Sequence, residues 1–272
     1  PLSGRRPQAR RSDRPVPYPD RVPHRLSISA LDSSVELRFA GPGTEQLVDA
    51  ATRAWSRCLG GRPGSRVAEP LDVLPPAGTS DADLTLALQL LTQAVTQRLL
   101  GAQIGRLLML HAGAVSHPVT GDSLVFVAPG GTGKTTLARI LGRRYGYLTD
   151  ETVGIDGSGR IHPYPKPLSL RVPGGGPKQE ASPDDLGLAR AHPEPRVRRV
   201  MVLSRPAGHV GAPDVEELGT LDAIQAILPE TSSIRRLPQP LRTLAALTEQ
   251  RGPVLRCSYA EADDLVALVA AL

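Results

Sequence analysis

A chain of 272 residues has room for one large domain or two modest ones, and its 40% hydrophobic content supports a real core. With aromatics at only 3%, that core must be built from Leu, Val, Ile and Ala, and the net charge of +5 fits an anionic partner. The chain excludes a membrane span, because no apolar run is long enough, and two distant cysteines, Cys58 and Cys257, exclude a disulfide scaffold or a cysteine zinc site.

Residues 1–22 carry Arg5, Arg6, Arg10, Arg11 and Arg14 among Pro, Ser and Gln, and read as a disordered basic tail. It lacks the interleaved aromatics of a nucleic-acid surface and the apolar core of a signal peptide. Together with the sparse cysteines, this predicts a cytoplasmic protein with no membrane or nucleic-acid partner.

Residues 23–105 read as a small α+β region. "HRLSISA" (24–30) and "SVELRFA" (34–40) alternate with period two and predict a hairpin. Leu47, Ala50, Ala51, Ala54, Trp55 and Cys58 recur at helical spacing in 44–60, with Thr44 as N-cap and Gly60 as the stop. Residues 61–80 read as loop. A second helix over 81–104 is apolar around most of its circumference and should be well buried.

From residue 106 to 272, strands and helices alternate, which predicts an α/β nucleotide-binding catalytic domain. Two apolar runs, 106–115 and 123–128, read as adjacent buried strands. A Gly-rich loop follows, then a helix from Lys134 that ends at Gly142 or Gly146. Residues 147–156 read as one strand and 161–172 as extended chain. Residues 173–187 have no periodicity and read as a mobile loop that closes as a lid, with Arg171 and Lys178 meeting phosphate charge. Further elements are a strand at 196–205, helices at 220–230 and 240–250, a strand at 253–259 and a helix at 260–272.

"VAPGGTGKTTL" (127–137) matches the phosphate-binding pattern G-x-x-x-x-G-K-[ST] except that Ala128 stands at the first glycine. In this reading Pro129, Gly130, Gly131, Thr132, Gly133, Lys134, Thr135 and Thr136 bind the nucleotide. Backbone N–H groups freed by the glycines wrap the phosphates, and the start of the helix adds its partial positive charge. Lys134 reaches the β- and γ-phosphates, and Thr135 holds Mg²⁺ through its hydroxyl. Lysine is otherwise found only at 166 and 178, so a lysine in this loop is not ordinary surface decoration.

In many such loops an Asp at the end of a later apolar strand supplies the second metal ligand. Here the strand "RRVMVLSR" ends in Ser204 and Arg205. The nearest acids at a strand end are Asp150 and Glu151, which either ligate the metal with Thr135 or accept a proton from an attacking hydroxyl.

"HAGAV", "LVFVAPGGTGKTTLA" and "YGYLTDETVGID", in this order, resemble the catalytic core of HPr kinase/phosphorylase and its bacterial relatives, which share a fold with phosphoenolpyruvate carboxykinase. "GRIHPYPKPLSLR" is similar to the shorter HPr-kinase-related proteins, some of which accompany ribosomal-peptide maturation. The resemblance spans 106–272 and weakens after Arg171. It implies an α/β P-loop core of HPr kinase C-terminal type and an ATP- and Mg²⁺-dependent kinase acting on a Ser or Thr hydroxyl of a peptide or protein. By the same resemblance His111 matches the family histidine, and Asp150 and Glu151 match its paired aspartates, with either one the base. Family members are often oligomers. A Gly-rich signature of the bifunctional enzymes is missing after the acids, and the first 105 residues are unlike that family's N-terminal domain. Phosphorolysis and HPr as the substrate are therefore not expected. Two other readings remain open from the residues alone: a nucleotide-binding accessory subunit with slow hydrolysis, and a small-molecule kinase.

Overall fold

A computed structural model describes residues 24–60, 64–78, 80–250 and 252–271, so the predicted basic tail lies outside the described residues. The predicted hairpin forms from β1 (His24–Ala30) and β2 (Ser33–Phe39), paired antiparallel with Ile28 opposite Val35. Its turn residues, Leu31 and Asp32, both adopt φ 52, a region that few side chains enter. Buried Gln103 holds them there, its Nε2 donating to the carbonyls of Leu31 (2.8 Å) and Asp32 (3.0 Å).

Helix α1 (Thr44–Ala54) stops short of the predicted Gly60, because the chain tightens into a 3₁₀ turn over Ser56–Cys58. Residues 61–80 are not only loop. They contain β3 (Arg66–Val67) and β4 (Leu71–Val73), both parallel to β2 and too short to show periodicity. Helix α2 (Asp81–Ala102) starts at a capping box in which Ser80 Oγ accepts from Asp83 N and Asp83 Oδ2 accepts from Ser80 N, both at 3.2 Å.

The second part contains β5 (Leu108–Ser116), β6 (Asp122–Val127), α3 (Lys134–Leu141), β7 (Gly146–Thr149), β8 (Thr152–Ile155) and β9 (Ile161–His162). It continues with β10 (Leu168–Leu170), β11 (Gln179–Ala181), β12 (Ala189–Arg190), β13 (Arg196–Ser204) and β14 (Asp214–Leu218). The last elements are α4 (Thr220–Ile227), β15 (Thr231–Ser232), α5 (Pro240–Gln250), β16 (Val254–Ser258) and α6 (Asp264–Ala271).

The central sheet runs β12-β7-β5-β6-β13-β16-β14, and β8 and β15 extend it along the first half of β5. Pairs β6–β13 and β13–β16 are parallel, while β5 is antiparallel to both β6 and β7, so the fold is mixed α/β. Period-two alternation divides the core: Val125 and Val127 pack toward α4 and α5, whereas Leu124 and Phe126 pack toward α3 and α6. Gly113 of "HAGAV" lies opposite Phe126, and a Cβ on it would come within 2.1 Å of that ring. The glycine is therefore needed for close packing.

Two sequence expectations change here, and one strand is added. The single strand over 147–156 is broken into β7 and β8 at Asp150–Glu151. Ala112 N bonds Glu151 O at 3.1 Å, so β5 follows the chain through the break. Segment 173–187 is not a structureless loop: β11 pairs with β10, and Arg57 fixes Asp184 at 2.9 Å. Strand β14, antiparallel to β16, had no sequence expectation, because its DVEEL is mostly polar and exposed.

The two parts are joined at "PYPK" (163–166). Pro163 O accepts from Leu31 N, and Tyr164 is buried within the N-terminal core, its OH 2.6 Å from Thr96 Oγ1 and its ring 6.3 Å from that of Trp55. Tyr164 thus completes the core of the N-terminal part from beyond residue 105.

Candidate active site

The Gly-rich loop connects buried β6 to α3. Ala128 is fully buried among Phe126, Leu137 and Ala138 and does not have a positive φ, so its methyl group fits where the motif usually has glycine. The glycines that require freedom come later: Gly131 has φ +85 and Gly133 φ +110. A Cβ at Gly130 or Gly131 would meet no protein atom within 4 Å, and both line a cavity of about 590 Å³. Tyr259, next to β16, donates its hydroxyl to Thr132 O at 2.7 Å and braces the loop.

Lys134 starts α3 with its Nζ donating to the carbonyls of Ala128 and Pro129 (3.1 Å for the latter). Burial lowers its pKa, opposed by the charges of Glu230, Asp150 and Glu151. Thr135 and Thr136 line the cavity with Gly130, Gly131, Gly133 and Lys134. Pro129 and Thr132 are not part of that lining. They shape the loop from within, Thr132 Oγ1 donating to Pro129 O at 2.9 Å.

The break between β7 and β8 brings both acids to the cavity. Thr149 Oγ1 shapes the turn by accepting from Glu151 N at 3.2 Å. Asp150 has a side-chain exposure of only 3%, and both its oxygens are engaged: Thr135 Oγ1 donates to Oδ2 at 2.8 Å and Tyr147 OH to Oδ1 at 3.0 Å. Burial, then the neighbouring Asp150 charge, raises the Tyr147 pKa well above its ordinary value, so Tyr147 remains a donor. Glu151 is different, with 42% of its side chain exposed.

Lys166 was not singled out from the sequence, yet it ties the acids together. Its Nζ is 3.3 Å from Asp150 Oδ1 and 3.0 Å from Glu151 Oε2, and it donates to Pro167 O at 2.8 Å. Burial opposes its charge, but Asp150, Glu151 and Glu180 outweigh that and raise its pKa. Rarity was the available signal, since all three lysines of the chain line this cavity.

His111, on β5, also lines the cavity. Its Nδ1 is 3.0 Å from Glu230 Oε2, an arrangement that favours the proton on Nδ1. Glu230 was not anticipated, because it lies 119 residues away, beyond the end of α4.

The opposite wall comes from α2. Gln89, Thr92, Gln93 and Thr96 form a polar stripe at helical spacing and line the cavity, so this helix is not simply buried as expected. The interruption at i, i+3, i+4 and i+7 was legible. Beside it, Ser169 Oγ donates to Glu180 Oε1 at 2.7 Å, and burial raises the Glu180 pKa to about 6. The Thr92 hydroxyl beside it favours the charged carboxylate, and Thr92 Oγ1 and Glu180 Oε2 are both buried without a hydrogen-bond partner among the described residues.

Among the described residues no cluster of three or more His, Cys, Asp or Glu forms a metal cage, and no helix is long and apolar enough to cross a membrane. No protein-family model and no curated protein matches the sequence. Among solved structures, the chain is similar to the HPr(Ser) kinase/phosphatase from Coxiella burnetii, at 13% identity and a TM-score of 0.33, over 60% of this chain and 92% of that one. At that distance, function has to be argued from the site itself.

Proposed function

We propose that this protein is an ATP- and Mg²⁺-dependent kinase that transfers the γ-phosphate to a Ser or Thr hydroxyl of a peptide or protein. The observation that carries the reading is one cavity bordered by the Gly-rich loop, by a Thr135–Asp150 hydrogen bond of 2.8 Å and by the half-exposed carboxylate of Glu151. A nucleotide-binding accessory subunit would need the loop but not the acids.

The residues fit the cofactors. Gly130 and Gly131 leave the cavity wall free of side chains where phosphate oxygens must approach backbone amides. The Thr135 hydroxyl and Asp150 Oδ2 are hard oxygen donors of the kind Mg²⁺ takes in ones and twos, with phosphate and water completing its shell. Bound there, the metal neutralises phosphate charge. Lys166 already bridges the two acids, which disfavours a metal between them and leaves the Thr135 side of Asp150 for it.

Within this reading Lys134 leaves its loop carbonyls for the β- and γ-phosphates. Glu151 accepts the proton of the acceptor hydroxyl as that oxygen bonds to the γ-phosphorus and the bond to the bridging oxygen breaks, releasing ADP. Lys166 and Tyr147 hold Asp150 in place, and His111, oriented by Glu230, borders the same space. By its sequence resemblance, the acceptor is a peptide undergoing maturation. The reading is tested by incubating the protein with ATP carrying a γ-phosphate label, Mg²⁺ and a library of serine- and threonine-containing peptides. Label is expected on peptide hydroxyls; release as free phosphate alone favours the accessory reading.

A further inference from the structure

Strands β10 and β11 pair with Leu168 opposite Ala181, Ser169 opposite Glu180 and Leu170 opposite Gln179. Arg171 directly follows β10 and Lys178 directly precedes β11, and both border the cavity beside Ser169 and Glu180. All four line it. The hairpin thus presents a hydrogen-bonded Ser–Glu pair inside and two cations at the mouth.

Two like charges bordering one cavity repel each other. Acids nearby would offset this, but among the described residues neither side chain has an ion pair or hydrogen bond. Glu180 instead interacts with Lys166 and Ser169. Nor is the pair loosely hung: Gln89 Oε1 on α2 accepts from Lys178 N at 2.7 Å. Of the other cavity cations, Arg139 on α3 has no side-chain partner among the described residues, and Lys134 donates to the loop carbonyls. Lys166 is matched by Asp150 and Glu151, and Arg205 by Glu261 at 2.8 Å.

We infer that Arg171 and Lys178 form an anion clamp at the cavity mouth, which binds a phosphate or carboxylate group of a ligand. The inference deepens the proposed phosphotransfer and rests on it only for the ligand's identity: an acidic side chain next to the acceptor hydroxyl, or a phosphate of the nucleotide. Two cations on one rim of the cavity fit an anion with two or three oxygens, and their exposure makes the attraction salt-dependent.

The test uses the full chain and the double variant R171Q/K178Q, which removes both charges and leaves polar side chains at two exposed positions. Affinities are measured for a non-hydrolysable ATP analogue with Mg²⁺, and for serine hexapeptides carrying Asp or Asn beside the serine. Roughly tenfold weaker binding of the Asp peptide, with the analogue unchanged, assigns the clamp to the acceptor. A similar loss for the analogue assigns it to the nucleotide. If neither affinity falls, whether or not the wild type binds the Asp peptide, the clamp is overturned. Phosphotransfer is scored separately: if the variant loses affinity and no peptide is ever phosphorylated, the clamp stands and the kinase reading fails.

Discussion

Thr135 Oγ1 donates to Asp150 Oδ2 at 2.8 Å, joining the first turn of α3 to the break between β7 and β8. Residues 15 apart in sequence, one in a helix and one at a break between strands, thus share one cavity with the Gly-rich loop, and the two neighbouring acids differ in their surroundings. Asp150 is saturated with donors. Glu151 is open.

This inequality gives the first prediction. Glu151→Gln should retain nucleotide affinity and lose phosphotransfer by about 10²- to 10⁴-fold, the usual worth of a general base. Asp150→Asn should instead weaken Mg²⁺-dependent nucleotide binding. Titration calorimetry with and without Mg²⁺, beside single-turnover rates, separates the two, and the reverse pattern would make Asp150 the base.

Lys134→Ala should reduce nucleotide affinity at least tenfold, since Lys134 is the cation within the loop itself. Direct binding measurements check this, and unchanged affinity would remove the phosphate-binding role of the loop.

Lys166→Met should cost about 3 kcal/mol or more of stability, because it leaves Asp150 buried without its cation. Chemical denaturation measures it. Lys166→Arg is expected to recover part of the loss, and a neutral Lys166→Met would mean that Tyr147 and Thr135 suffice for Asp150.

Stability should also depend on pH through Glu180, which faces Lys166, Asp150, Ser169 and Thr92. Its folded pKa of about 6 lies above the ordinary 4.5, so the folded state holds this proton more tightly. The stabilisation is complete below about 4.5 and is lost as pH rises to about 6, by up to about 2 kcal/mol. Melting curves of the wild type and Glu180→Gln should diverge across that window and run parallel above it. Parallel curves throughout would show that Glu180 titrates normally.

The parts legible in the sequence were those set by local spacing. The loop from Ala128 to Thr135, the hairpin at 24–39 and the start of α3 follow from neighbours a few residues apart. Gly142, offered as one of two stops, is where α3 caps. The break at Asp150–Glu151 was hidden because Tyr147, Leu148, Val153 and Ile155 are apolar on both sides of it, and only the pairing of β5 shows two strands. Glu230 and α2 meet the site across dozens of residues, a contact that local spacing does not show, and Lys166 meets the acids 16 and 15 residues beyond them, outside any local motif. The expectation of a structureless segment at 173–187 changed because "PKQEASPDD" looks unanchored until Arg57 and Gln89 arrive from the N-terminal part. Ahead of those anchors in the chain lies an exposed tip at 172–176, with Gly174, Gly175 and Gly176 all at positive φ.

The central claim is phosphotransfer from a nucleotide bound at the Gly-rich loop to a hydroxyl that Glu151 deprotonates. Mass spectrometry of a serine- and threonine-containing peptide library, after incubation with ATP and Mg²⁺ and either the wild type or Glu151→Gln, tests it most directly. The account predicts phosphopeptides with the wild type and almost none with Glu151→Gln at equal nucleotide occupancy. Nucleotide binding without any phosphopeptide, or equal yields from both proteins, would contradict it.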